Sequence, residues 1–434
     1  VQRTAASGTG QPALRGPRLE DLVKPRIPLI LFLLGCIAGI VFATISAGDF
    51  AQHLDRQVHS IHCSILPGGA PDVSGSSGCH VALMSPYASF LKGVVWGGIP
   101  VALPGIALFV FMAYRALSMW AGRRQSDRAS VVFLILISAL PVLTSLVFGG
   151  IAIFELETLC KTCLGIYLSS FVCFGSALGL LIKTGAPAYE DDDAAKQADD
   201  DPVARPAPNP VLHHLTGLAE SGVFVVVPLI AYVALAPDHS VYAGQCGTLT
   251  NPEDPYGVFV PLGQQTTGED AIEVFDPLCP ACAGFEKRLV SSGLDAELKR
   301  KAVLFPLDNA CNWMVSSALH PGACTISEAV LCAGPEADAV VAWAFEQQDA
   351  IRTAAATDPE AAKRMVVAAF PSVAKCVGSP DVKTKINRSL RWAVTNKLPV
   401  LTPQLYVGGT KLCDEDTDLG LDYALAHLLD REAP

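Results

Sequence analysis

Residues 157–170 read ETLCKTCLGIYLSS, which sets Cys160 and Cys163 three apart where a long uncharged run begins. Residues i and i+3 share a helix face, so the two thiols can bridge each other or meet one small molecule. The run that follows, 162–182, is long enough to cross a bilayer, which needs about 20 apolar residues. A reactive thiol pair normally sits in water. Here it stands at the mouth of a hydrophobic helix, and the rest of the chain has to account for that.

Four more charge-free runs occupy 27–48, 93–114, 129–154 and 221–237. The first three are long enough to span, and the last is shorter but dense, VFVVVPLIAYVAL. With 51% hydrophobic and 17% charged residues, the chain is a membrane protein or a membrane part joined to a soluble one. A buried helix or strand is the plainer alternative for each run. A net charge of -11 argues against a nucleic-acid footprint. The first run also ends near the small residues TISAG, as a cleaved signal peptide would, but its apolar part exceeds the usual stretch of roughly 7–15 residues.

Basic residues set the orientation. Arg3, Arg15, Arg18, Lys24 and Arg26 precede the first run. Arg115, Arg123, Arg124 and Arg128 separate the second from the third, and Lys183, Lys196 and Arg205 the fourth from the fifth. Only Arg56, Lys92 and Lys161 fall on the other side. This puts 1–26 in the cytoplasm, a loop at 49–92 outside, a cytoplasmic linker at 183–218, a fifth span at 219–237 and everything from 238 to 434 outside. The linker carries EDDDAAKQADDD and then PVARPAPNP, a like-charge block and spaced prolines that resist packing.

Fourteen cysteines point to an oxidising compartment or a redox task. Cys63 and Cys79 lie in the outer loop, Cys160 and Cys163 at the outer end of the fourth span, and eight more in the outer domain. Cys36 and Cys173 fall inside spans without a near neighbour in sequence, where a free cysteine packs as a small hydrophobe.

In the outer domain AIEVF (271–275) has the composition of a strand, and DPLCPACAGFEKRLV (276–290) the spacing of a helix. A C-x-x-C between strand and helix is the thioredoxin-type redox signature. Cys279 then falls at a helix N-terminus, where free N–H groups stabilise a thiolate, and Cys282 one turn on can close the disulfide. Further along, VLTPQLYVGGTKL places Thr402–Pro403 before a strand and resembles the cis-proline loop that faces the active disulfide in thioredoxin folds. Helical stretches are expected between, at 313–333, 336–355, 359–370 and 382–397. Such a core with a helical insertion resembles the DsbA-like variant. Half of a zinc site is the alternative for Cys279 and Cys282, but the outer domain offers no second C-x-x-C and no metal is expected. Cys246, Cys311, Cys324, Cys332, Cys376 and Cys413 are expected to form structural disulfides, with fifteen connectivities open. Cys311 and Cys324 could staple the insertion.

The order of an outer-loop cysteine pair, then SPYASFLKGVVWGGIPVALPG (85–105), then CKTCLGIY (160–167) is similar to the vitamin K epoxide reductase (VKOR) family. The whole resembles bacterial fusions of that family with a thioredoxin-like partner, from about residue 25 onward. The resemblance implies an α-helical membrane bundle, a four-helix VKOR-like core at 27–182 plus a fifth linking transmembrane helix, followed by an α/β thioredoxin-like domain. It implies that Cys160 and Cys163 are the active pair, Cys163 nearer a quinone and Cys160 exchanging with the loop. Cys79 matches the inner loop cysteine and Ser85 its hydroxyl residue, Cys63 the outer one, and Tyr167 a tyrosine lining the quinone pocket. The glycine-rich ILPGGAPDVSGSSG between Cys63 and Cys79 is longer than the family spacing. His53, His59, His62 and His80 crowd this loop, as solvated residues, as metal ligands, or, for His62 and His80, as aids to thiolate formation.

The expected function is a thiol:quinone oxidoreductase of the bacterial inner membrane. Its periplasmic domain would oxidise exported proteins and pass electrons through Cys63–Cys79 and Cys160–Cys163 to ubiquinone or menaquinone. An outward carrier that reduces or isomerises disulfides keeps the parts and reverses the flow, but needs an inner-side donor. A non-enzymatic membrane protein with structural or metal-binding cysteines predicts neither thiol exchange nor quinone dependence.

Overall fold

The computed structural model describes residues 26–57, 59–64, 77–122, 127–184, 210–263, 265 and 267–429. The expected N-terminal segment, most of the cytoplasmic linker and most of the spacer between Cys63 and Cys79 lie outside these residues. The chain divides into two units, one drawn from 1–48, 60–82 and 102–231, the other from 49–59, 83–101 and 232–434.

The first unit is helical. It is built on α1 (Arg26–Gln52, whose last turn passes into the second unit), short α2 (Gly78–Leu83), α3 (Ala102–Ala121), α4 (Arg128–Phe154), α5 (Lys161–Thr184) and α6 (Pro210–Leu235). The five long helices are long and apolar enough to cross a membrane. Asp127 caps α4, its carboxylate accepting from the amides of Ala129 and Ser130. Leu29, Phe32, Phe111, Phe133 and Leu134 fill the interior, while Leu143, Leu146 and Val147 face outward, as lipid contact requires. Lipid gives helices no hydrophobic reason to associate, so close approach over small residues has to do it. A Cβ on Gly165 would lie 2.7 Å from the Phe42 ring, which draws α5 onto α1.

Two boundaries differ from the sequence reading. The second span starts at Ala102, not 93, because the chain turns at Gly97 and Gly98 (φ 73° and 76°) and pairs β1 (Ser89–Phe90) with β2 (Ile99–Pro100). Apolar residues before Ala102 thus serve a loop. The fifth helix opens at Pro210, inside the stretch read as linker, since proline at a first helical position is pre-set for helix and VLHHLTGLAES continues it. Cys36 and Cys173 are buried as expected, but they are neighbours, Sγ to Sγ 3.7 Å.

The second unit holds a five-stranded sheet in the order β3-β5-β4-β6-β7: β3 (Val260–Leu262), β4 (Glu269–Phe275), β5 (Leu298–Leu304), β6 (Gln404–Val407) and β7 (Thr410–Lys411). Strands β4 and β5 run parallel and α7 (Pro280–Ser292) connects them; the other pairings are antiparallel. This is a thioredoxin-like sheet. Between β5 and β6 comes the helical insertion: α8 (Ala323–Ala333), α9 (Ala337–Glu346), α10 (Gln348–Thr357), α11 (Ala361–Ala369) and α12 (Pro380–Thr395). Residues 313–322 are not helical as expected; His320, Pro321 and Gly322 (φ 91°) turn the chain into α8. The expected helix over 336–355 breaks at Gln347 into α9 and α10. A last helix, α13 (Leu421–Leu429), packs with Phe285, Leu289 and Leu405. The six remaining outer cysteines pair as Cys246–Cys413, Cys311–Cys324 and Cys332–Cys376.

The loop segments 49–59 and 83–101 belong to this second unit. The Arg56 guanidinium grips Asp416 through Nε and Nη2 at 2.9 and 3.0 Å, and Trp96 Nε1 donates to the same carboxylate at 3.3 Å. The guanidinium also lies 4.7 Å from the Tyr242 ring centre.

Candidate active site

The first unit brings four of the six expected cysteines together. Cys63 and Cys79 form one disulfide, and Cys160 and Cys163 another. Cys160 stands just before α5: its carbonyl accepts from the Leu164 amide, and its Sγ lies 3.2 Å from the Cys163 amide. Cys79 lies in α2, and Gly78 beside it lets α2 sit directly on the backbone leading to Cys160. A Cβ on Gly78 would lie 2.4 Å from the Leu159 carbonyl oxygen. The Thr162 hydroxyl is 3.1 Å from Cys160 Sγ and 3.8 Å from Cys79 Sγ, so one buried oxygen touches both disulfides.

Exposure sorts the membrane pair. Cys160 is buried against the loop, whereas Cys163 is partly open. Tyr167, one turn below Cys163, has its ring 3.7 Å from where a Gly149 Cβ would stand, between α4 and α5. Ser85 follows α2 in the second unit, buried, its carbonyl accepting from Ala88. His80 sits in α2 beside Cys79.

The second unit holds the third thiol couple, here as free thiols. Cys279 is the N-cap of α7 with Pro280 at its first position. Its thiol faces the Thr402 carbonyl at 3.7 Å, and Thr402–Pro403 is a cis peptide. The Cys279 pKa is lowered to about 6, first by the hydrogen bond from Cys282, then by contact with the Thr402 residue, against the cost of burial. Burial and the Cys279 charge push Cys282 upward. Thiolate character is thus concentrated on one sulfur, as nucleophilic exchange requires.

Polar groups not anticipated from the sequence hold this end. Asp276 accepts from the amides of Leu278 and Leu307 at 2.7 Å each and pairs with His320 Nδ1 at 2.8 Å. Burial alone would lower His320, but the Asp276 hydrogen bond and charge raise it. Gln348 Nε2 donates to the Cys279 carbonyl at 2.9 Å. Beneath, Glu273 on β4 is buried against Arg300, and desolvation raises its pKa despite the guanidinium. The D-P step between β4 and the C-x-x-C is the signal that could have pointed to Asp276; His320 and Gln348 come from beyond β5 and leave no local signal. Among the described residues one cluster has metal-type ligands within reach of each other, Cys246, Cys413 and Glu415, but its sulfurs are spent in a disulfide.

Residues 30–178 match the model of the Vitamin K epoxide reductase family. No curated protein matches the chain. Among solved structures, the oxidoreductase DsbA from Xylella fastidiosa is 18% identical, covering 38% of this chain and 92% of its own, with a TM-score of 0.28. Reduced DsbA1 from Neisseria meningitidis is 17% identical, covering 41% of this chain and 95% of its own, with a TM-score of 0.27. The thioredoxin-like assignment rests on the sheet order and the Cys279–Cys282 geometry described above. The family match thus covers the helical part alone, and the chain as a whole carries three thiol couples: two closed as disulfides in that part and one open as thiols beyond it.

Proposed function

We propose that the chain oxidises the thiols of exported proteins and delivers their electrons to a bilayer quinone, ubiquinone or menaquinone. The observation that carries this reading is the contact of Cys79 and Cys160 with one hydroxyl at the head of an apolar helix. A couple placed there has an aqueous disulfide as one neighbour and lipid as the other. The excess of basic residues before α1, between α3 and α4 and after α5 supports an orientation with all three couples on the periplasmic face of the bacterial inner membrane.

Each transfer is attack of a thiolate on a disulfide through a mixed disulfide. A client dithiol reduces Cys279–Cys282; these thiols reduce Cys63–Cys79, with Cys63 as the entry sulfur; Cys79 then attacks Cys160 and releases Cys163. A quinone takes two electrons and two protons from the Cys160–Cys163 dithiol and restores that disulfide. The partly open Cys163 is the sulfur suited to meet it, with Tyr167 one turn further along α5 as a lining residue. Net flow needs each acceptor more oxidising than its donor, about 30 mV per 1.4 kcal/mol for a two-electron couple.

The test is quinol formation by the full chain in lipid nanodiscs, driven by a reduced peptide. Wild type should turn over, and Cys163→Ala should lose quinol formation while its Cys279–Cys282 pair still exchanges with peptide. Quinol formation persisting in Cys163→Ala would refute the assignment, and disulfide reduction driven from the opposite face would favour the outward carrier.

A further inference from the structure

Lys161 and Thr162 separate the two cysteines of the membrane pair in sequence, and the Thr162 hydroxyl behaves unlike those of Ser169 and Ser170 further along α5. Ser169 and Ser170 donate to the Gly165 and Ile166 carbonyls one turn back, the usual use of a helical hydroxyl. Both hydrogen bonds of Thr162 Oγ1 go to sulfur, one within its own pair and one in the loop pair. Its side chain is buried, as are Cys79 and Cys160, so water is a poor competitor for those sulfurs.

We propose that Thr162 is a catalytic residue of the exchange between loop and membrane, its hydroxyl transferring a hydrogen bond from one sulfur to the other as negative charge moves. This role rests on the relay direction given above. With the loop pair reduced, the Thr162 O–H donates to the Cys79 thiolate. That thiolate attacks Cys160: the Cys79–Cys160 bond forms, the Cys160–Cys163 bond breaks, and Cys163 leaves with the electron pair. Cys63, as thiolate, then attacks Cys79: the Cys63–Cys79 bond forms, the Cys79–Cys160 bond breaks, and Cys160 leaves as thiolate. The same O–H turns to this new anion, 3.1 Å away, where the Cys163 amide is already aimed. Two electrons have moved from the loop pair to the membrane pair, and the two thiol protons end there. A charge-assisted hydrogen bond is among the stronger polar contacts, and a buried thiolate without one is costly.

The test uses the full chain in nanodiscs, reduced through its Cys279–Cys282 pair with a dithiol peptide, then acid-quenched and alkylated at timed intervals. Mass spectrometry reads the arrival of reducing equivalents at Cys160 and Cys163. Thr162→Val and Thr162→Ala, which lack the hydroxyl, should slow that arrival about 10- to 100-fold, while Thr162→Ser stays within about twofold of wild type. Exchange of Cys279–Cys282 with the peptide should be the same in all four proteins, which also reports that each is folded. Wild-type rates in both hydroxyl-free variants would overturn the proposal, as would Thr162→Ser as slow as Thr162→Val, since the methyl and not the oxygen would then matter. No arrival in the wild type would sink the relay itself, and this role with it.

Discussion

Arg56 closes a two-pronged ion pair on Asp416, a residue 360 positions away in the chain. Asp416 is almost fully buried, and burial raises its pKa despite the guanidinium that opposes the shift. Removing one partner of such a pair leaves a buried charge uncompensated, at a cost of about 3 kcal/mol, or some two orders of magnitude in an equilibrium. Arg56→Met should therefore lower hydrogen-exchange protection of residues 49–57 and 83–101 by up to about 100-fold, with β4 and β5 unaffected. Arg56→Met combined with Asp416→Asn should recover part of it.

Gly78→Ala tests how closely the loop must approach the membrane pair. The added methyl meets the Leu159 carbonyl at 2.4 Å, so α2 has to move and Cys79 with it. Transfer from the loop pair to Cys160–Cys163 should slow by about tenfold or more, given the sensitivity of rates to small misplacements. Peptide oxidation by a pre-oxidised Cys279–Cys282 pair should be unchanged. Timed alkylation of each couple reads both.

The Cys279 thiolate has a pH signature. Its alkylation should be half-maximal near pH 6, and Cys282→Ala should move that midpoint upward, because the Cys282 hydrogen bond is the largest cause of the shift. The folded value lies below the ordinary 9.0, so the thiolate adds stability that is complete above about pH 9 and is lost as the pH falls through about 6. The disulfide form has no such group. Denaturation of the reduced protein should thus shift toward higher stability, relative to the oxidised protein, between those values.

Local patterns were legible from the start. C-x-x-C at the head of an apolar run and C-x-x-C between strand and helix each place two thiols on one helix face, whatever the rest of the chain does. Thr402–Pro403 was readable because few residues enter a strand that way. What depends on packing was not. Thr162 gains its meaning only when α2 settles on the turn before α5, which Gly78 permits. Cys36 and Cys173 look solitary in sequence and meet because α1 and α5 approach closely where Gly35 leaves room beside Cys173. The apolar residues 93–101 matched a span by composition, but Gly97, Gly98 and Pro100 bend them into the loop, where Trp96 reaches Asp416. The pairings Cys311–Cys324 and Cys332–Cys376 needed the folded insertion, and Cys246–Cys413 needed the segment before β3 to settle beside β7.

The most direct test of the relay is to trap its intermediate. In Cys163→Ala the Cys160 thiol is left free and can attack the loop disulfide at Cys79, so the full chain should accumulate a Cys79–Cys160 mixed disulfide with Cys63 released as a thiol. Peptide mapping under non-reducing conditions reads this. The account predicts that linkage as the dominant adduct of Cys160; a Cys160 that stays free, or that bonds to Cys63 instead, would contradict it.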